Sequence, residues 1–208
     1  MKKTIYTVGH STHTIDYFLE LLTTYSINCV VDVRSVAASK YNPQFNQQPL
    51  SNFLKKHGVN YLHFDKEFGA RYTDKALLDE HDTVDFEKVR ATKTFSTGVE
   101  RLERGIERGF NIALMCSEAE PFDCHRFGMI SGYLSNNNFD VKHILKDKSL
   151  KTNAELEKQL MKKYAKKIPI PTLLEPDITP EIQLQAAYKL RNKDIGFSPT
   201  KGEESEAI

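Results

Sequence analysis

The chain has 208 residues, of which 39% are hydrophobic and 27% are charged, and its net charge is +1 at pH 7. These values fit one globular domain, or one domain with a helical appendage. They exclude a strong overall electrostatic field that would attract nucleic acid or a membrane surface. No apolar run approaches the roughly 20 residues of a membrane span, and the N-terminus does not have the form of a secretory signal. The three cysteines are an odd number, so we expect no disulfide framework and a cytoplasmic protein with reduced thiols.

The order of the predicted elements is that of an α/β fold. The run Cys29–Val33 is apolar on both faces, which is typical of a parallel strand covered by helices. Strands are predicted over residues 4–8, 29–33, 60–64, 110–115 and 140–145, and helices over 15–22, 51–57, 95–108 and 124–134. This alternation predicts a doubly wound, mostly parallel sheet of about five strands with helices on both faces.

The chain changes character after the predicted sheet. Residues 1–150 form the predicted α/β domain that carries the site, and residues 151–197 form a helical extension. Within the extension, helices are predicted over 154–167 and 181–191, and the prolines between them predict a stiff linker. We expect residues 198–208 to be a disordered tail, and the helices after residue 153 to be candidates for homodimer contacts.

Side chains with catalytic chemistry follow the first, second and fourth predicted strands. In an open α/β sheet, ligands bind outside the carboxyl ends of the strands, so we expect these groups to converge on one edge. The residues are His10 and Ser11 after the first strand, Asp32 and Arg34 at the second, and Cys116, Glu118, Cys124, His125 and Arg126 after the fourth.

The predicted binding groups indicate an anionic substrate. Arg34 and Arg126 carry forked donors that match phosphate, sulfate or carboxylate, and a helix N-terminus near Cys116 would also favour an anion. Arg71 is either a third anion contact or a solvated surface residue, and Tyr41 either stacks on a base or anchors its own loop. The full predicted binding set is Ser11, Arg34, Tyr41, Arg71, Cys124, His125 and Arg126.

The predicted catalytic groups are Glu118, Asp32, Cys116 and His10. Glu118 or Asp32 would act as general acid or base, a role that a histidine could share. Cys116 would be a nucleophile or a supporting residue, although a free cysteine is also commonly a small buried hydrophobe. Asp32 also has a structural alternative, an ion pair with Arg34 at the sheet edge.

Cys116, Cys124 and His125 carry side chains that can bind zinc. They form no C-x-x-C pair and no standard finger spacing. The adjacent side chains of Cys124 and His125 are expected to point in different directions on a helix. We therefore expect no metal and no cofactor.

Five blocks of the sequence resemble a bacterial and archaeal family described as domain of unknown function 488. The resemblance covers roughly residues 4–150, and one departure is Gly69-Ala70-Arg71, where the family usually has Gly-Gly-Arg. The blocks are residues 7–11, 31–34, 41–45, 68–71 and 115–118 with 124–126. The resemblance implies an α/β fold and supports the blocks as one site, but it implies no reaction.

Two functions follow from these residues. The first is an enzyme, a hydrolase or transferase, that acts on a nucleotide, a nucleic acid or a phosphorylated small molecule. The alternative is a non-catalytic nucleotide- or nucleic-acid-binding module, which lysines at 55–56, 158, 162–163 and 166–167 would support if they tracked phosphates. Those lysines are equally explained as solvated helix faces.

Overall fold

The structure is a computed structural model that describes residues 2–173 and 175–202. Its helices and strands are β1 (Lys3–Gly9), α1 (Ile15–Thr24), β2 (Cys29–Asp32), α2 (Gln47–Lys56), β3 (Asn60–His63), α3 (Asp65–Phe68), α4 (Phe86–Arg90), α5 (Lys93–Glu107), β4 (Ile112–Cys116), α6 (Gly132–Asn136), β5 (Phe139–Ile144), β6 (Leu150–Thr152), α7 (Asn153–Tyr164), α8 (Pro180–Ile195) and α9 (Pro199–Gly202). Within these ranges, no helix combines the length and the apolar character needed to cross a bilayer.

The strands form one six-stranded sheet in the order β3-β2-β4-β1-β5-β6. Strands β1–β5 pair parallel with one another, and β6 pairs antiparallel with β5. The predicted α/β, mostly parallel sheet is confirmed, with β6 as an additional short edge strand. Because β2, β4 and β1 are neighbours, the loops that follow them lie side by side at one edge.

Helices cover both faces of the sheet, as predicted. Side chains alternate between the faces of a strand, so Val30 joins the apolar cluster that contains Phe18 of α1, whereas Val31 joins the cluster of Phe95 and Leu102 of α5. Because both faces of β2 are buried, its sequence is a nearly continuous apolar run.

Helix α2 begins at Gln47, four residues before its predicted start. Pro49 therefore lies in the first turn of the helix rather than in the preceding loop. A proline is tolerated there because the first backbone N–H groups of a helix have no intrahelical partner to lose.

The C-terminal extension attaches to the sheet domain instead of standing apart from it. Helices α7 and α8 share an apolar cluster with Phe122 and Phe127. The guanidinium of Arg191 donates to the Phe122 carbonyl and pairs with Asp123. Phe197 follows α8, and its carbonyl accepts a hydrogen bond from the backbone N–H of Val84. Helix α9 lies within the predicted tail, and residues 203–208 of that tail lie outside the described residues.

Candidate functional site

A cleft of about 260 Å³ opens at the carboxyl edge of the sheet. Its walls come from the loops after β2 and β4, from residues 70–71, and from Ile195 and Phe197 beyond the sheet domain. Among the predicted site residues, six line this cleft: Arg34, Arg71, Cys116, Glu118, Cys124 and His125. The other five, His10, Ser11, Asp32, Tyr41 and Arg126, do not line it.

Two thiols, an imidazole and a carboxylate meet at the floor of the cleft. The Sγ atoms of Cys116 and Cys124 lie 3.7 Å and 3.8 Å from Nδ1 of His125. The Sγ atom of Cys124 also lies 3.0 Å from Oε2 of Glu118. One ligand atom from each of the four residues lies within 4.8 Å of the others, so they form a single chemical group. We call Cys116, Glu118, Cys124 and His125 the thiol cluster.

The prediction that Cys124 and His125 point apart is wrong. Cys124 is not on a helix but follows a 3-10 turn at Pro121–Asp123, and its φ of −127° and ψ of 146° are extended. Helical backbone begins only after Cys124, and the π-helical stretch Arg126–Ser131 leads into α6. Because the backbone turns between Cys124 and His125, their side chains converge on Cys116.

The orientation of His125 is fixed by a hydrogen bond from its other ring nitrogen. Nε2 lies 3.0 Å from the carbonyl oxygen of Val33, which can only accept a hydrogen bond. Nε2 therefore carries a proton, and Nδ1 is directed at the two sulfurs.

The two thiols of the cluster have pKa values shifted in opposite directions. Burial raises the pKa of Cys116 well above its usual value. Burial also opposes ionisation of Cys124, but the hydrogen bond with Cys116 and the positive charges of Arg126 and His125 hold the pKa of Cys124 well below the usual value. Partial burial and the neighbouring Cys124 raise the pKa of Glu118. Cys124 is therefore the first thiol to ionise.

Asp32 and Arg34 form a buried ion pair, the structural alternative considered for them. The side chain of Asp32 is 0% exposed, and Arg34 donates to it from Nε at 2.9 Å and from Nη2 at 2.6 Å. Nη2 also donates to the Phe45 carbonyl at 2.8 Å. Asp32 cannot reach the cleft as an acid or base, and Arg34 has little donor capacity left for an anion.

His10 is a neutral, structural histidine. Its Nδ1 donates to the carbonyl of Ser11 at 2.8 Å, and its Nε2 accepts from Nη1 of Arg34 at 3.1 Å. Burial lowers the pKa of His10 to about 4. With both ring nitrogens occupied, His10 positions Arg34 and does not fit the predicted catalytic role.

Arg126 supports the site from inside the protein. Its side chain is 0% exposed, and it donates to the carbonyls of Glu118 at 2.7 Å and Ala119 at 3.0 Å. The predicted contact between Arg126 and an anion in the cleft is therefore wrong. The guanidinium instead holds the loop that follows β4.

Arg71 is the predicted arginine whose guanidinium remains available at the cleft. Unlike Arg34, Arg101 and Arg191, which pair with carboxylates, Arg71 has no ion-pair partner among the described residues. Its guanidinium lies over the ring of Phe197, 5.5 Å from the centroid.

Tyr41 and Ser11 lie outside the cleft. The side chain of Tyr41 is 94% exposed, which gives it no fixed contact with the site. Ser11 contributes its backbone, which donates to the Ser117 carbonyl at 2.9 Å and joins the loops after β1 and β4.

Ser35 and Phe197 were missed by the sequence interpretation. The hydroxyl of Ser35 accepts hydrogen bonds at 2.9 Å from the backbone of both Ala70 and Arg71, which fixes Arg71 at the cleft rim. The position of Ser35 next to Arg34 was an available signal. Nothing in the sequence places Phe197, because its contact with Arg71 depends on how the extension folds back.

A larger groove, of about 410 Å³, lies between β3 and α5. Its lining is mostly apolar, with Arg101, Arg104 and Arg108 as its charged residues. It holds no arrangement like the thiol cluster, so the smaller cleft is the better candidate site.

Comparison with known proteins identifies the family but no activity. No curated protein and no solved structure matches the chain significantly. One family model, described as Domain of unknown function DUF488, matches residues 14–134, which is more than half of the chain. The match includes β2, the thiol cluster and Arg71, and confirms the resemblance found in the sequence blocks. The chain therefore belongs to the DUF488 family.

Proposed function

We propose that this protein is an enzyme that acts on an anionic substrate bound in the cleft. The observation that carries the proposal is the thiol cluster at the floor of a cleft whose rim holds Arg71. Groups of this kind, brought together in a concave site with shifted pKa values, are more typical of catalysis than of packing.

Arg71 is the anion contact in this proposal. Its planar guanidinium matches the oxygen pairs of a phosphate or carboxylate. A bound anion would not have to displace a carboxylate from it, because no carboxylate of the described residues forms an ion pair with Arg71. The expectation of three arginines around the anion is thereby reduced to one main contact.

Glu118 is the general acid or base in this proposal. Its side chain is exposed on the cleft, whereas the other predicted carboxylate, Asp32, is sealed behind Arg34. This difference supports Glu118 over Asp32, since a general base must reach the substrate directly or through one water.

The size of the cleft favours a small substrate group. Sites for drug-sized ligands usually enclose roughly 300–1,000 Å³, and this cleft encloses about 260 Å³. A phosphorylated small molecule, a mononucleotide or the end of a nucleic acid fits this volume better than a fully enclosed large ligand.

The proposal is tested by incubating the protein with nucleotides, phosphorylated sugars and short oligonucleotides, and detecting products by mass spectrometry. We expect a product from the wild type and from the control Glu120→Gln, which makes the same change two residues away and outside the cleft lining. Glu118→Gln should lower the rate by roughly 10²- to 10⁴-fold. Equal rates for Glu118→Gln and wild type would remove Glu118 from the mechanism.

The binding-module alternative predicts a different result in the same experiment. Ligand would be retained without any product, and affinity for nucleic acid would fall steeply with salt as counterions are released. Such binding, lost in Arg71→Gln, would replace the enzyme by a sensor or adaptor that uses the same cleft.

A further inference from the structure

Three donor atoms of the thiol cluster are spaced as the ligands of one metal ion. A tetrahedral zinc ion, with Zn–S bonds of about 2.3 Å and Zn–N bonds of about 2.0 Å, places sulfur and nitrogen ligands about 3.6 Å apart. The two distances from sulfur to Nδ1 of His125 are 3.7 Å and 3.8 Å. Both distances are within about 0.2 Å of that spacing, and all the ligand atoms of the cluster lie within 4.8 Å of one another.

We propose that Cys116 Sγ, Cys124 Sγ and His125 Nδ1 bind a zinc ion whose fourth position faces the cleft beside Glu118. Thiolates and imidazole are ligands that zinc prefers, whereas magnesium and calcium prefer oxygen. A site with three protein ligands and one open position is the arrangement of catalytic rather than structural zinc.

The hydrogen bonds around the ligands support a metal site. Metal-binding histidines usually donate from the second ring nitrogen to a carbonyl or carboxylate, which aims the first nitrogen at the ion. His125 has this arrangement, with Nε2 3.0 Å from the Val33 carbonyl. The backbone N–H of Arg126 lies 3.4 Å from Sγ of Cys124 and fixes that sulfur in turn.

The charges of the cluster also suit zinc. Two thiolates balance the charge of Zn²⁺, so the bound ion adds no net charge to a region that already contains the buried guanidinium of Arg126. Without a metal, the cluster places two cysteines, a histidine and a carboxylate in a small, largely buried volume. Burial and the repulsion between like charges there oppose the ionisation of all of them at once.

The role of the fourth position rests on the function proposed above, whereas the metal site itself does not. Cys124 Sγ lies 3.0 Å from Oε2 of Glu118, so a water bound at the open position would lie beside that carboxylate. Zinc makes a bound water more acidic. The proton would pass to Glu118 and leave a hydroxide facing the substrate.

The test measures binding of Zn²⁺, and of Co²⁺ as a spectroscopic probe, to protein first stripped with a chelator and kept reduced. We expect one zinc per chain, and a Co²⁺ spectrum with thiolate charge-transfer bands and tetrahedral coordination. Cys116→Ser, Cys124→Ser and His125→Gln should each lose more affinity than the roughly 10- to 100-fold typical of losing an outer hydrogen-bond partner. The control Cys29→Ala removes a buried cysteine outside the cluster and should keep wild-type affinity.

A second measurement uses the wild-type protein, so it still tests the metal site if the variants fail to fold. Under mild denaturant, zinc should slow alkylation of Cys116 and Cys124 more than it slows alkylation of Cys29. Any slowing at Cys29 would measure the general stabilisation of the fold by zinc. Equal protection of all three cysteines, or no zinc uptake by the reduced protein, would overturn the metal site. Loss of zinc by Glu118→Gln to the same extent as by the cysteine variants would overturn the open fourth position.

The two proposals fail separately. Stoichiometric zinc in a protein that turns over no substrate would leave the metal site and remove the enzyme. Turnover that continues unchanged in chelator-stripped protein, with no zinc taken up, would leave the enzyme and remove the metal site.

Discussion

Arg71 and Arg126 show how two arginines of one site can have opposite tasks. Arg71 lies at the cleft rim with its guanidinium over Phe197. Arg126 is fully buried and donates to two backbone carbonyls of the loop after β4. Its Nε is buried without a hydrogen-bond partner among the described residues, which offsets part of that stabilisation. In the proposed function, Arg71 binds the substrate, whereas Arg126 supports the loop.

Replacement of Arg126 by Met should therefore affect stability first. The change removes the buried guanidinium that donates to two backbone carbonyls, together with a charge that favours the Cys124 thiolate, so we expect the free energy of unfolding to fall by about 2–4 kcal/mol. Urea unfolding measures this loss. Arg108→Met, an exposed arginine, is the control and should stay within about 0.5 kcal/mol of wild type. A similar value for Arg126→Met would contradict its supporting role.

The sequence predicted which residues lie at this edge of the sheet better than it predicted the contacts that they make. Strand-end positions led to His10, Asp32, Arg34 and Cys116, because parallel strands carry their carboxyl ends to one edge. Which of their atoms stay free depends on contacts between separate loops, such as the bond from Arg34 to Phe45. Such contacts leave no periodic signal in the chain.

The elements around the site meet at a glycine. An added Cβ at Gly9 would lie 1.9 Å from the carbonyl oxygen of Glu118, far inside van der Waals contact. The end of β1 and the loop after β4 can therefore approach closely only because residue 9 has no side chain. This approach also allows the backbone N–H of His10 to donate to the carbonyl oxygen of Cys116.

Gly9→Ala should open the thiol cluster. The clash pushes the loop after β4 outward, so we expect the alkylation of Cys116, now 2% exposed, to become faster while α/β secondary structure persists. Mass spectrometry of labelled peptides gives the rate. Gly109→Ala serves as the control because a Cβ there meets nothing within 4 Å and strains only a backbone with φ of +87°. Unchanged labelling of Cys116 in Gly9→Ala would refute this role of Gly9.

At the level of elements, the sequence predicted types more reliably than boundaries. The apolar run of β2 and the helical periodicity of α5 correspond to strong burial on the two sides of the sheet. The helix predicted over 124–134 begins later than predicted, because Cys124 is extended and follows a 3-10 turn that ends at Asp123. That one error also hid the convergence of Cys124 and His125.

On the scale of the whole molecule, the insertion of β4 between β1 and β2 creates the site. Strand order is decided by long-range packing, so the alternation of helices and strands could not predict it. The fold of the extension was equally hidden, since Arg191 anchors α8 through Phe122 and Asp123, nearly 70 positions earlier in the chain. The cleft wall at Phe197 follows from that anchor.

Global stability should depend on pH through buried histidines. Burial lowers the pKa of His143 to about 3, and its Nδ1 lies 2.9 Å from the Thr7 hydroxyl. The unfolded chain takes up this proton near the ordinary value of about 6.5, before the folded protein does. The contribution of neutral His143 to the free energy of unfolding is therefore fully present above pH 6.5. It falls on acidification by about 1.4 kcal/mol per pH unit.

Comparison of wild type with His143→Gln isolates that contribution. Urea unfolding between pH 7 and pH 4.5 should show a shallower decline for His143→Gln, while His10 continues to contribute in the same direction in both proteins. Parallel curves for the two proteins would show that His143 does not remain neutral in the folded state.

The central claim is that an anion binds in the cleft between Arg71 and the thiol cluster. It is tested most directly by a crystal structure of the protein with tungstate, an anomalously scattering analogue of phosphate. We predict a tungstate peak with an oxygen within hydrogen-bond distance of the Arg71 guanidinium and beside Glu118 and His125. A peak confined to the lysines of α7, or to the groove between β3 and α5, would contradict the claim.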